Sequence, residues 1–116
     1  MTDHAPIEMT DQLVERVAQR LSSIGDPTRI RLLNALRDGE ASVGELTEVA
    51  GTTQQNVSRH LRILHGEGIL ERRRDGNYVR YRIADPAIFA ICDAVCGGVI
   101  AQVDRERAAF TDGEAA

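Results

Sequence analysis

Lysine is absent from this chain: all fourteen of its basic residues are arginine. Arginine suits two-pronged contacts to guanine and phosphate, but a biased genomic base composition yields the same pattern, so the bias carries little functional weight. No apolar run approaches the ~20 residues needed to cross a bilayer, and the N-terminus lacks a signal-peptide core. A soluble, cytoplasmic protein with no membrane partner is expected. There are only two cysteines, which in such a setting are free thiols, ligands or sensors rather than a structural disulfide. No Ser/His/Asp set, Cys/His pair or glycine-rich phosphate loop is present, so an enzyme is not expected. At 116 residues the chain makes one domain with a modest core.

Net charge is −4, which at first argues against a nucleic-acid partner. The distribution reverses that reading. Arg59, Arg62, Arg72, Arg73, Arg74, Arg80 and Arg82 fall between Gln54 and Arg82, against only Glu67, Glu71 and Asp75. A basic stripe on an acidic body is an electrostatic footprint that the overall charge conceals.

Within that stripe, residues 42–64 read as a helix pair. Ser42 with Glu45 three residues on forms a capping box. The short helix it opens buries Leu46 and Val49 and stops at Gly51, which tolerates a left-handed backbone. Thr53 caps a second helix whose Val57, Leu61 and Leu64 recur at inward-facing spacing. The opposite side then carries Gln55, Ser58, Arg59 and Arg62, residue types that bond base edges and phosphates. This is the pattern of a helix-turn-helix that binds double-stranded DNA.

Around it, residues 1–9 read as a flexible arm, 10–109 as the DNA-binding and dimerisation domain, and 110–116 as a flexible tail. A first helix from about Thr10 to Ile24 places Leu13, Val17, Leu21 and Ile24 on one stripe, widened by Val14. Asp26-Pro27 starts a second helix, which buries Ile30, Leu33 and Leu36 and ends at Gly39. After a turn at Gly66-Glu67-Gly68, residues 69–83 switch to strand alternation about Asp75-Gly76-Asn77, giving a β-hairpin. A hairpin after a recognition helix is a wing. Its arginines 72–74, Arg80 and Arg82 are placed to straddle phosphates, and DNA contact is favoured over a merely solvated hairpin whose charges guard an edge. Asp85-Pro86 opens a last helix of about 22 residues that is apolar on more than one side. Such a helix pairs across a two-fold axis; Gly97-Gly98 allows close approach, a kink or an early end. The fold expected is mainly α with a small β-hairpin: a winged helix-turn-helix of five helices that dimerises through the first and last. The seam is assigned to Leu13, Val17, Ile88, Ile91, Cys92, Val95 and Val99.

Four segments in this order and spacing, IGDPTRIRLLNAL (24–36), SVGELTEVAG (42–51), NVSRHLRILHGEGIL (56–70) and RRRDGNYVRYRI (72–83), resemble the ArsR (arsenic-repressor) family of winged-helix bacterial repressors. The resemblance covers roughly Leu21 to Val95. It implies a homodimer on an imperfect palindromic operator, released when an inducer binds or modifies the protein. It also implies DNA contacts by Gln54, Gln55, Ser58 and Arg59; Thr53, Arg62 and the wing arginines are added to the expected DNA-contacting set from their positions alone. His60 matches the family's common histidine, but it sits about 60° from the buried Val57 direction on a helical wheel, which favours packing or a phosphate contact over base reading.

Two sensing patterns of the family are missing. The stretch SVGELTEV has no cysteine where one metal-responsive pattern has a pair, and the last helix has no histidine where another binds zinc. What remains is Cys92 and Cys96, one turn apart on one helix face. Their Cβ atoms are roughly 5–6 Å apart at such spacing, whereas a disulfide wants about 3.8 Å. Buried packing, chelation of Zn²⁺, Cd²⁺ or As(III), and thiol or polysulfide chemistry all stay open. His60 and His65 with Glu67 form a weaker candidate metal set. Against the repressor reading stand a constitutive regulator, a protein-interaction module and a sequence-blind architectural protein.

Overall fold

The computed structural model describes residues 6–115, with side chains through residue 112; residues 1–5 of the expected arm lie outside it. Helix α1 (Asp11–Ile24) is followed by α2 (Pro27–Ala35), a 3₁₀ turn (Leu36–Asp38), β1 (Ala41–Ser42), α3 (Val43–Ala50) and α4 (Gln54–Gly66). The hairpin β2 (Leu70–Asp75) and β3 (Tyr78–Ile83) leads into α5 (Ala87–Ala115). The sheet is antiparallel in the order β1-β3-β2.

Local chemistry sets each helix start. The hydroxyl of Thr10 accepts from the Leu13 N–H, the carboxylate of Asp26 from Arg29, and the hydroxyl of Thr53 from Asn56, at 3.0–3.2 Å. Ser42 and Glu45 exchange both bonds of the capping box, at 3.2 and 3.1 Å. Gly51 takes the left-handed conformation, φ 70°, that turns the chain from α3 into α4.

Leu32, Leu33 and Leu36 meet Leu46 and Ala50 of α3, Val57, Leu61 and Leu64 of α4, and Ile69, Leu70 and Tyr81 of the hairpin in one core. The inward face expected for α4 is therefore observed. Two assignments change. Val49 is exposed and Ala50 takes the buried place, because the inner stripe of α3 runs through Leu46 and Ala50. Ile30 is also exposed, and it lines a groove beneath α5 instead.

Strand β1 has no counterpart in the sequence pattern. It is only two residues long and lies inside the capping segment, so it leaves no alternation to read; Ala41 pairs with Tyr81 and Ser42 with Arg80. The last helix is longer than expected, 29 residues, continuous through Gly97-Gly98 and through residues 110–115, where a tail is expected. By length and composition Ala87–Asp112 is apolar enough to cross a membrane, with mean hydropathy 1.7 in its most apolar window. That corrects the expectation of no such run, which the interspersed polar residues hide.

The helices α1 and α5 leave apolar faces uncovered. Val14, Val17 and Leu21 are exposed on α1, as are Val95, Val99, Ile100 and Val103 on α5. The radius of gyration is 18.1 Å, against about 13 Å for a compact domain of this length. The excess comes from a projecting helix roughly 43 Å long at 1.5 Å per residue. Ile88 is the exception among the expected seam residues. It is fully buried in the chain's own core, because the first turn of α5 packs on that core before the helix departs.

Candidate nucleic-acid interface

Turning Val57, Leu61 and Leu64 inward leaves Gln54, Gln55, Arg59 and Arg62 exposed and Ser58 half-buried. Gln54, Gln55, Ser58 and Arg62 line one shallow recess open to solvent. Amide, hydroxyl and guanidinium groups on one helix face can satisfy the mixed donors and acceptors of a major-groove edge. Thr53 is exposed beside them, but its oxygen is engaged as the helix cap, leaving its O–H free to donate.

Arg59 is restrained. One Nη donates to Asn56 Oδ1 at 2.9 Å and lies 3.3 Å from His60 Nε2. His60 itself is only 4% exposed. Sequence position groups it with the DNA-contacting set, whereas its ring is bordered by Asp26, Arg29 and Arg59 and is almost wholly buried, as packing requires. Burial also pushes its pKa below the ordinary imidazole value, and the two guanidiniums reinforce this while Asp26 opposes it.

The five wing arginines divide by strand face. In the observed register Leu70, Arg72 and Arg74 lie opposite Ile83, Tyr81 and Val79, while Glu71, Arg73 and Asp75 lie opposite Arg82, Arg80 and Tyr78. On the second face every arginine is matched. Arg73 forks onto Glu40, with Nε 2.9 Å from Oε2. Arg80 bonds Asp75 at 2.9 Å and Glu45 at 3.3 Å, and Arg82 bonds Glu71 at 2.8 Å. The Arg73 fork holds the Glu40 carboxyl below its usual range, and Arg80 does the same to Asp75. Glu45 is lowered mainly by the Ser42 backbone N–H, with Arg80 adding to it. Arg72 and Arg74 have no carboxylate partner among the described residues. Exposed pairs of this kind are worth about 0–1 kcal/mol each, yet they cancel local charge. The uncancelled positive charge of the wing is therefore concentrated at Arg72 and Arg74.

Cys92 is half-buried and Cys96 exposed, both as free thiols. Burial pushes the Cys92 thiol upward; the Arg37 guanidinium pulls the other way and Asp93 adds to the rise. Arg37 is the residue that sequence reasoning missed, since no basic side chain lies within a helical turn of either cysteine. It reaches from the 3₁₀ turn after α2, forks onto Asp93, bonds Asn34 at 3.1 Å and stacks 4.7 Å from the centre of the Phe89 ring. Nothing in the sequence pairs positions so far apart. Two grooves converge on the cysteines. One is apolar, with a volume of about 380 Å³, between Leu21, Ile30, Val95 and Val99. The other is lined by Arg31, Asn34, Arg37 and Phe89. Among the described residues no three His, Cys, Asp or Glu side chains cluster as a metal site, so the weaker set at His60, His65 and Glu67 is not assembled.

A capped helix pair joined by a left-handed glycine, with a three-stranded wing behind it, defines a winged helix-turn-helix domain. Residues 26–72 match the family described as "Bacterial regulatory protein, arsR family". The HTH-type transcriptional regulator Rv0081 of Mycobacterium tuberculosis is 36% identical over 104 residues, 89% of this chain and 90% of that protein. The solved structure of Rv0081 superposes with a TM-score of 0.70, over 84% of this chain and 98% of that one. The HTH-type transcriptional regulator CmtR of the same species is 41% identical over 78 residues, 67% of this chain; the match spans 64% of CmtR. The AntR antimony-specific transcriptional repressor structure is 32% identical with a TM-score of 0.71, covering 83% of this chain and 86% of that chain. The chain belongs to the ArsR family, and these relatives are transcriptional regulators rather than enzymes.

Proposed function

We propose that the chain is a homodimeric transcriptional repressor that binds an imperfect palindromic operator in double-stranded DNA. The observation that carries this is the exposed face of α4, with Gln54, Gln55, Ser58 and Arg62 around one recess and uncancelled arginines on the adjoining wing. Gln54, Gln55 and Ser58 read base edges. Arg62, Arg72 and Arg74 neutralise phosphates, and Arg59 joins them from its tether on Asn56. The uncovered stripes of α1 and α5 form the dimer seam, through Leu13, Val17, Ile91, Val95 and Val99. Two-fold symmetry then sets the recognition helices into successive major grooves about 34 Å apart. This seam also accounts for an apolar α5 in a regulator that works at DNA.

Release is assigned to a soft metal or metalloid ion at Cys92 and Cys96, the pair from each protomer meeting at the seam. Burial that keeps the Cys92 thiol protonated makes it a poor target for mild oxidants, whereas a coordinated thiol loses its proton outright. The spacing of one helical turn, which suits two thiolates bracketing a soft ion and is too wide for a disulfide, favours metal ligation over thiol oxidation. The named specificity of AntR for antimony is consistent with soft-ligand chemistry in a protein of this shape. An inducer empties the operator only if it prefers the weakly binding form by several kcal/mol, since 10⁴-fold selectivity corresponds to about 5.5 kcal/mol.

The test is fluorescence anisotropy of the reduced protein on the DNA upstream of its own coding region, before and after Zn²⁺, Cd²⁺, arsenite or polysulfide. Cys92→Ser and Cys96→Ser are run in parallel. Release by a metal or metalloid in the wild type only is expected. Release by polysulfide alone would make the pair a sulfur sensor, and binding that no agent reverses would make the cysteines packing residues.

A further inference from the structure

The interior of the reading head holds a polar cluster that no DNA contact explains. His60 is buried at the junction of α4 with the start of α2, and three charged groups face its ring. Asp26 Oδ2 lies 3.8 Å from Nδ1, Arg29 Nη1 3.3 Å from Nδ1, and Arg59 Nη2 3.3 Å from Nε2. The Arg29 Nε is buried with no partner among the described residues, so α2 is anchored here at some cost.

A neutral imidazole offers one donor and one acceptor, and guanidinium groups only donate. Both arginines cannot therefore be hydrogen-bonded to the ring at once. The negative charge of Asp26 beside Nδ1 favours the proton there, which leaves the Nε2 lone pair for Arg59. The same Arg59 nitrogen is held from the other side by Asn56 Oδ1 at 2.9 Å, and Asn56 is in turn held by Thr52 at 3.3 Å. The guanidinium is thus fixed between an amide oxygen and an imidazole nitrogen. Left unrestrained, the long Arg59 side chain would have to be ordered on binding.

We propose that His60 is the positioning residue for Arg59, and that it works only as a neutral imidazole, so that acid disengages Arg59 and weakens operator binding. A second proton on His60 removes the ring's acceptor and sets a third cation between Arg29 and Arg59, against the single carboxylate of Asp26. This rests on the proposed DNA-binding function and adds a dependence on pH that the outward-facing residues do not carry. The depressed pKa of His60 sets the direction: the ring is neutral at pH 7 and charges only on acidification.

The experiment measures operator affinity by anisotropy from pH 7.5 to pH 5.5 for wild type, His60→Gln, His60→Leu and Arg59→Ala, with the double variant Arg59→Ala/His60→Leu. Gln can accept from Arg59 without titrating. Wild type is expected to lose about tenfold affinity with acid, the equivalent of one charge-assisted hydrogen bond. His60→Gln should match wild type at pH 7.5 and stay flat. His60→Leu should be about tenfold weaker at both pH values, and the loss should vanish in the Arg59→Ala background. Should His60→Leu fail to fold, His60→Gln alone decides. In the free protein, ring ¹⁵N shifts should show Nε2 unprotonated and a midpoint below the ordinary imidazole value of about 6.5. A His60→Gln profile that falls with acid like wild type, or a ring protonated at Nε2 at pH 7, overturns the proposal. Wild type that binds no duplex at pH 7.5 overturns the DNA-binding reading itself, whereas binding with a flat wild-type profile overturns only the role of His60.

Discussion

Arg72 and Arg73 are neighbours of the same chemistry with different duties, because a strand sends adjacent side chains to opposite faces. Arg73 meets Glu40, whereas Arg72 has no acidic partner among the described residues. Replacing Arg72 or Arg74 by alanine should flatten the slope of log affinity against log salt by about 0.9 for each phosphate no longer neutralised. Arg73→Ala and Arg82→Ala should leave it nearly unchanged, and anisotropy titrations at several salt concentrations would separate the two groups. At the same scale, acid should destabilise the fold in two stages. His60 has a lowered folded pKa, so its contribution is complete above the unfolded value of about 6.5 and is lost as pH falls through the window below it. Asp26, Glu40, Glu45 and Asp75 also have lowered values, so theirs is present above the unfolded carboxylate pKa and lost as pH falls further, through the folded ones. Urea midpoints from pH 7.5 to pH 3 should show both steps; in His60→Gln the first should be absent. The sequence identifies which residues carry charge and which carry thiols. It is silent on their partners: Arg37 against Asp93, Arg73 against Glu40 and Arg59 against His60 are set by packing of distant elements or by side-chain rotamer.

At the scale of the elements, the sequence is most legible where the signal is local. The caps at Asp26, Ser42 and Thr53 and the left-handed Gly51 need only three to five residues to specify, and each is found where expected. Thr53→Ala should destabilise the domain by about 1 kcal/mol, and Gly51→Ala by about 1–2 kcal/mol because its backbone is left-handed. Denaturant unfolding measures both. The loss of the Thr53 cap should also loosen the first turn of α4, where Gln54 and Gln55 sit, and so lower operator affinity. Legibility fails where an element is short or its partner distant. The eight residues of α3 carry an apolar stripe whose direction a wheel misjudges by one position, pointing to Val49 where the fold buries Ala50. Strand β1 exists only because β3 lies alongside it. Periodicity groups Ile88 with the seam because it cannot tell the first turn of α5, packed on its own domain, from the turns beyond it.

The whole chain is incomplete as a single copy. Val95 and Val99 are 63% and 54% exposed on a helix that otherwise projects into solvent, and the valines of α1 stand unburied as well. Val99→Asp should leave the fold of each protomer intact, since the side chain has no place in the core. It should nevertheless convert a dimer to a monomer by placing a carboxylate in an apolar seam. Sedimentation velocity reads the change. Operator affinity should fall by at least a hundredfold, because each protomer would then bind only one half-site. The number of apolar positions in the last helix is enough to foresee a partner helix; which of them remain inside the chain is not legible, since that depends on where α5 leaves the domain.

Whether α4 reads bases is decided by an anisotropy titration of wild type and the triple variant Gln54→Ala/Gln55→Ala/Ser58→Ala on the upstream duplex and on a scrambled duplex of equal length. The wild type should prefer the upstream duplex by roughly a thousandfold, with two protomers bound, and the triple variant should bind both duplexes alike. A variant that keeps the wild-type preference, or a wild type with none, would contradict the assignment of α4 as the reading helix.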